Sequence, residues 1–239
     1  MKKKSLTKKI GLLALMLFSL SIKIVFAQSD ITAIDILLNP DQVMLDSAKV
    51  YNDLMRNNYS GPGSFSLDAN HTPHISTLQC FVKTADLEKV YAAVVKVVES
   101  EKPTKNKLAT KGFYYLPDKS LGLAGITTET PAWLMKFQAK IIEAVKPFIV
   151  VGTNAAFVQN ADGKPIVAGL TEYVNGFIPE HSGAKFNPHV TIGLAQADFL
   201  KALLAKPYHK FTFGILAVSI YHLGDYGTAQ KKLWSSAKK

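Results

Sequence analysis

Pro188-His189-Val190-Thr191-Ile192 echoes Pro73-His74-Ile75-Ser76-Thr77-Leu78, and the reading of the whole chain turns on these two stretches. Each is a proline, a histidine, a β-branched residue and a hydroxyl residue among apolar neighbours, the composition of a strand entering a core. Side chains alternate faces along a strand, so His74 shares a face with Ser76, and His189 with Thr191. The chain holds six histidines, so about one His-x-Ser/Thr match is expected by chance. Two copies, both after proline and both in strand-like surroundings, exceed that expectation.

Working outward, the first motif strand covers about His74 to Val82. A helix follows, capped by Thr84, with Leu87, Val90, Tyr91, Val94, Val95 and Val98 at helical spacing. Leu108–Tyr115 and Leu121–Thr127 read as paired strands across Leu116-Pro117-Asp118-Lys119. Upstream, Ile34–Leu38 is an apolar strand interrupted by Asp35. It hands over at Asn39-Pro40 to a helix reaching about Arg56, with Met44, Ala48, Tyr51 and Met55 inward. Thr130-Pro131 opens another helix, with Leu134, Phe137, Ile141 and Val145 on one face. Phe148 to Lys185 has no clear period, although Thr171–Phe177 suggests a short helix. After the second motif come a helix over Ala197–Ala205, a long strand over Phe211–Leu223 and a final strand toward Trp234.

Each motif strand thus precedes a helix and a strand pair. The expected fold is α+β, with two similar sheet-plus-helix lobes, each presenting one motif to a shared cleft. No close internal repeat accompanies the symmetry.

The chain has 239 residues, 48% apolar and 19% charged, the composition of a globular protein. Its formal charge of +10 is mostly a header. Six of the 28 basic residues are lysines in residues 1–27, which hold no acid, leaving 22 basic against 18 acidic residues in the remainder. That balance argues against long nucleic acid as the main ligand. A cationic start, the apolar run Ile10–Ile22 and the small residue Ala27 read as a secretory signal over residues 1–27. The mature chain would be residues 28–239, secreted or periplasmic and without a stable membrane anchor once cleaved. A monomer is expected. Cys80 is the sole cysteine, so no internal disulfide can form, and its place in a strand points to burial.

Paired histidines suit attack on a phosphodiester. The incoming and departing oxygens lie on opposite sides of phosphorus, so a catalyst needs a proton acceptor on one wall and a donor on the other. Histidine serves either role near neutral pH. Ser76 and Thr191 could donate to the phosphoryl oxygens from the same strand faces. No metal or other cofactor is required. Three alternatives stay open. The cleft could bind a phosphorylated small ligand without turning it over, or His71, His74, His181 and His189 could hold zinc. The strand aromatics Phe113, Tyr114, Tyr115 and Tyr221 could stack on a base or simply fill the core. His181, in the polar stretch Pro179 to Lys185, reads as a solvated loop residue that could touch substrate.

His74-Ile75-Ser76 and Phe186-Asn187-Pro188-His189-Val190-Thr191-Ile192 resemble the paired His-x-Thr/Ser motifs of the 2H phosphoesterase superfamily. That group includes RNA 2',3'-cyclic phosphodiesterases and proteins labelled 2'-5' RNA ligases. Leu67–His74 and Val218–Thr228 look like a secreted bacterial branch of it, and the resemblance spans the mature chain. It implies a bilobal fold with a central groove and metal-independent chemistry on a small nucleotide or RNA end carrying a 2',3'-cyclic phosphate or a 2'-5' phosphodiester. It also implies His74 and His189 as the acid/base pair, with Ser76 and Thr191 holding phosphate oxygens. Ser76 keeps the hydroxyl of the commoner threonine but loses the methyl that stiffens its rotamer.

Overall fold

Asp35 sits in the middle of β1 (Ile31–Pro40), a strand whose Ile34, Ile36 and Leu38 face the main core while Ala33 and Leu37 join separate apolar clusters on the other face. The structure is a computed structural model that describes residues 30–237. The expected signal segment, residues 1–27, lies outside the described residues.

Helix α1 (Gln42–Asn58) begins at Asp41, whose Oδ1 accepts from the amides of Val43 and Met44 at 3.1 and 3.4 Å. Its Oδ2 accepts from the Gly214 amide at 2.6 Å. Because Asp41 supplies the cap, Pro40 closes the strand instead of opening the helix. Met44, Ala48 and Met55 are buried as expected, and Asn52 is buried beside them.

The remaining elements follow in chain order. They are β2 (Ile75–Lys83), α2 (Leu87–Glu101), β3 (Lys107–Asp118), β4 (Leu121–Thr128), α3 (Ala132–Val145) and β5 (Ile149–Val150). Next come α4 (Leu170–Asn175), α5 (Phe177–His181), β6 (His189–Gln196), α6 (Ala197–Leu204), β7 (Thr212–Leu223) and β8 (Ala229–Ser235). The short helix expected over Thr171–Phe177 is two helices, broken at Gly176.

Mixed helix and antiparallel sheet make this an α+β fold. The strand order is β5-β2-β1-β7-β3-β4-β6, with β8 on β7. β7 joins two halves: its first residues, 212–214, pair with β3, and residues 215–222 pair with β1. One half holds motif strand β2 with β1 and β7, and the other holds motif strand β6 with β4 and β3.

The halves are interleaved along the chain. The strand pair that follows the first motif (β3–β4) docks on the second motif strand, and the pair that follows the second (β7–β8) docks beside β1. Helix α1 packs against β6, whereas α3 packs on α2 and β2. Each motif strand is therefore backed by a helix from elsewhere in the sequence.

Candidate active site

His74 lies one residue before β2, and His189 is the first residue of β6. Their rings are held alike: Nδ1 of His74 is 2.6 Å from the Thr72 carbonyl, and Nδ1 of His189 is 2.8 Å from the Asn187 carbonyl. A carbonyl only accepts, so each Nδ1 carries hydrogen and each neutral ring keeps its lone pair on Nε2. The proline between histidine and carbonyl holds the approach extended.

Both strands then bulge at the same place. In β2, Leu37 faces Ser76 and Ile36 faces Leu78, so Thr77 is the extra residue. In β6, Gly125 faces Thr191 and Ala124 faces Gly193, so Ile192 is the extra residue. The residue immediately after each hydroxyl is the one squeezed out. A bulge reverses the alternation that follows it, and the consequence in β2 is chemical. Gln79, three residues beyond Ser76, returns to its face and donates through Nε2 to Ser76 Oγ at 3.3 Å. Cys80 turns into the core, where burial, then the charge of Asp35, push its thiol far above the ordinary range.

Asp35, opposite Gln79 and fully buried, gathers this cluster. Its Oδ2 accepts from Ser76 Oγ at 2.6 Å and Gln79 Nε2 at 3.0 Å, and it lies 3.4 Å from Nε2 of His74. Its Oδ1 has no hydrogen-bond partner among the described residues. Ser76, beside His74 as the spacing predicts, has its one hydroxyl proton on Asp35. Thr191 shares the face of His189, and its hydroxyl makes no hydrogen bond among the described residues.

The second half has an aromatic in place of an acid. Tyr114, paired with Gly125, meets the His189 ring edge-on at 4.8 Å between centroids. Gly125 makes this possible, since a Cβ there would fall 2.3 Å from Tyr114 Cε1. The other strand aromatics lie elsewhere: Phe113 packs on Tyr51 and Tyr208, and Tyr221 is buried with Leu37 and Ala229.

His181 is no solvated loop residue. It ends α5, with its ring 4.4 Å from that of Tyr173 and 5.5 Å from that of Phe177. His71, which makes the His-x-x-His spacing with His74, instead places Nδ1 3.3 Å from Asp68 Oδ1 and stacks on Phe65. Among the described residues, no three His, Cys, Asp or Glu side chains are gathered as a metal would need.

Electrostatics separates the two motif histidines. For His74, burial disfavours the charged ring, but the hydrogen bond and charge of Asp35 and the Thr72 carbonyl outweigh it, and the pKa is raised. For His189, burial dominates. The Asn187 carbonyl and Asp35 oppose it, the charges of His74 and His181 add to it, and the pKa is lowered. The charges of His74 and His181 both act on His189, and the two motif strands β2 and β6 come into contact. Burial, then the charge of Asp35, push Tyr173 up to about 12, and its ring packs against that of His181.

No family model and no curated protein matches this sequence. Solved structures do. The crystal structure of TT0787 of Thermus thermophilus is 11% identical, with a TM-score of 0.45, and the match covers 85% of this chain and 96% of that one. Kluyveromyces marxianus Usb1 is 13% identical with a TM-score of 0.40, over 85% of this chain and 97% of Usb1. The same Usb1 with uridine monophosphate matches at 11% identity and a TM-score of 0.39, over 86% and 98% of the two chains.

Asp35, Gln79 and Tyr173 are the neighbours that sequence reasoning did not single out. Asp35 alone left a signal, as the one carboxylate inside an otherwise apolar strand. A lone acid in such a setting is costly unless it has partners.

Proposed function

We propose that this chain is a metal-independent phosphodiesterase in which His74 and His189 exchange protons with opposite sides of one phosphorus. The observation that carries the reading is the matched histidine geometry. Two rings 115 residues apart (189 minus 74) enter motif strands that come into contact, each with Nδ1 anchored two residues upstream; Nε2 of His189 has no hydrogen-bond partner among the described residues, and Nε2 of His74 has Asp35 at 3.4 Å. Two bases so disposed fit in-line displacement, where one oxygen loses a proton as another gains one.

Thr191 offers its hydroxyl to a phosphoryl oxygen. Ser76 reaches one only by turning its proton away from Asp35. Tyr114, at the edge of His189, and Tyr173, packed on His181, offer aromatic faces that suit a base or sugar attached to the phosphate. The substrate class follows from the motif resemblance: a 2',3'-cyclic phosphate or a 2'-5' phosphodiester on a nucleotide or short RNA end. The chain would act outside the cytoplasm after removal of residues 1–27.

The test is a screen of purified residues 28–239 against 2',3'-cyclic nucleotides and 2'-5' linked dinucleotides, with and without chelator. Chelator-insensitive ring opening with a bell-shaped pH profile is the expected result. Turnover abolished by chelation would replace this reading with metal hydrolysis. Binding without turnover would make the cleft a receptor for a phosphorylated ligand.

A further inference from the structure

Counted from the two bulges, the strand pairings of the two halves keep the same register, and one position in it differs in charge. Asp35 faces Gln79, three residues beyond Ser76; in the other half Leu123 faces Leu194, three residues beyond Thr191. One histidine has a carboxylate behind it and the other has a leucine at the equivalent place.

We propose that Asp35 is a positioning residue that makes His74 the general acid and leaves His189 as the general base, so that the leaving oxygen departs beside β2 and water attacks from beside β6. This rests on the phosphodiesterase reading. Its geometric support is the 3.4 Å approach of Asp35 Oδ2 to Nε2 of His74. That is longer than the bonds Oδ2 accepts from Ser76 and Gln79, so the carboxylate stabilises the imidazolium without holding its proton out of reach. Ser76 and Gln79 fix the carboxylate. No acid lies within hydrogen-bonding distance of His189 among the described residues; it has Tyr114 at its edge, and the charge of His181 acts on it. The opposite displacement of the two rings' proton affinities agrees with this division of roles.

In the step, Nε2 of His189 takes a proton from water as the water oxygen bonds to phosphorus. The bond from phosphorus to the leaving oxygen breaks, its electron pair stays on that oxygen, and the oxygen takes the Nε2 proton of His74. A phosphodiester and water become a phosphomonoester and an alcohol. The proton gained by His189 and that lost by His74 are restored through solvent.

The groups about the two rings are Asp35 from β1, which approaches His74 and holds Ser76 and Gln79 of β2, Thr191 from β6 on the face of His189, Tyr114 from β3 at the edge of that ring, and His181 from α5, whose charge acts on it. Of these, Asp35 is the one acid.

Leaving-group dependence tests the assignment. A p-nitrophenyl phosphodiester releases an anion that needs no proton, whereas a cyclic nucleotide releases an alkoxide that does. His74→Gln should lose about a hundredfold or more on the cyclic nucleotide but less than about tenfold on the p-nitrophenyl ester, and His189→Gln should lose comparably on both. Rescue of His189→Gln instead, or equal losses in both variants, overturns the proposal.

An NMR titration of the two rings provides a readout that needs no turnover. His74 should titrate above His189, fall in Asp35→Asn, and rise in Ser76→Ala, where the carboxylate loses a competing donor. Opposite shifts from two neighbouring substitutions are not a symptom of general loosening. His189 titrating above His74, or a His74 titration that ignores Asp35→Asn, refutes the assignment. If no phosphodiester is hydrolysed while His74 still titrates as described, the functional reading fails and the charge asymmetry stands.

Discussion

Asn52 and Gln138 make the same crossed connection in opposite halves of the fold. Asn52 Nδ2 on α1 donates at 2.9 Å to the carbonyl of Ile192, the bulged residue of β6, and Gln138 Nε2 on α3 donates at 3.2 Å to the carbonyl of Thr77, the bulged residue of β2. Each amide also anchors the loop that leads into the other motif. Asn52 bonds the Phe65 carbonyl and Leu67 amide ahead of His74, and Gln138 bonds the His181 carbonyl and Gly183 amide ahead of His189. A bulge frees a backbone carbonyl, and a buried carbonyl without a donor is costly. The two amides meet that cost and couple the motifs as they do so.

Asn52→Ala and Gln138→Ala are therefore each expected to lower unfolding free energy by roughly 1–3 kcal/mol, the cost of stranding buried polar groups. Urea titration measures it. Since each amide spans both motifs, turnover should also fall in either variant under conditions where the protein remains folded. A fall in stability with turnover unchanged would make the amides scaffolding only.

His74→Ala and His189→Ala are each expected to reduce turnover of a 2',3'-cyclic nucleotide by about a hundredfold or more, the usual loss on removing a general acid or base. Single-turnover kinetics at saturating substrate isolates the effect from binding. Turnover near that of the native chain in either variant would remove that histidine from the chemistry.

The two hydroxyl residues, equivalent in the sequence motif, should behave differently on substitution. Thr191→Ala removes a donor that is free for a phosphoryl oxygen, and a loss of about a hundredfold at all pH values is expected. Ser76→Ala removes a hydrogen bond to Asp35 and should chiefly move the pH profile. Rate profiles between about pH 5 and 9 distinguish the two, and indistinguishable profiles would return Ser76 to a direct role on the phosphate.

Gly125→Ala tests the aromatic wall. The new methyl would collide with Tyr114, so the ring must leave its place against His189. Turnover is expected to fall, and Tyr114→Ala in the same chain should restore stability relative to Gly125→Ala alone. A double-mutant cycle reads this as a coupling of roughly 0.5 kcal/mol or more, the range for residues in contact. Additive effects would mean the strand accommodates the methyl by another route.

Much of this was legible in the sequence because it is local. The motif strands, the valine-rich α2 and the β3–β4 hairpin all lie close to where periodicity and punctuation place them. The interleaving of the halves was not legible, since nothing in β3 or β4 says which motif strand they will meet. Nor were the bulges: Thr77 and Ile192 are ordinary strand residues, and an extra residue leaves no mark on composition. Without the bulge, alternation puts Cys80 on the face of Ser76 and hides Gln79, so the Asp35 cluster stays out of reach. His181 was misplaced because its Tyr173 and Phe177 contacts depend on two short helices divided by Gly176, in a stretch too brief to show a period.

Stability against pH should carry opposite signatures from the two motif histidines. His74 holds its proton more tightly folded than unfolded, so it contributes stability that is fully present below the unfolded value of about 6.5 and is lost as pH rises through its raised folded value. His189 holds its proton less tightly when folded. Below about 6.5 the unfolded chain takes up a proton that the folded chain resists, so His189 costs stability as pH falls toward its lowered folded value. His74→Gln should therefore be most destabilising in acid and less so as pH rises, while His189→Gln should gain on the native chain in acid. Urea midpoints across the range measure both differences, and comparing each variant with the native chain cancels the background from His181 and His222, whose affinities burial also lowers. Two differences with the same slope would mean that the rings share one environment and that Asp35 does not distinguish them.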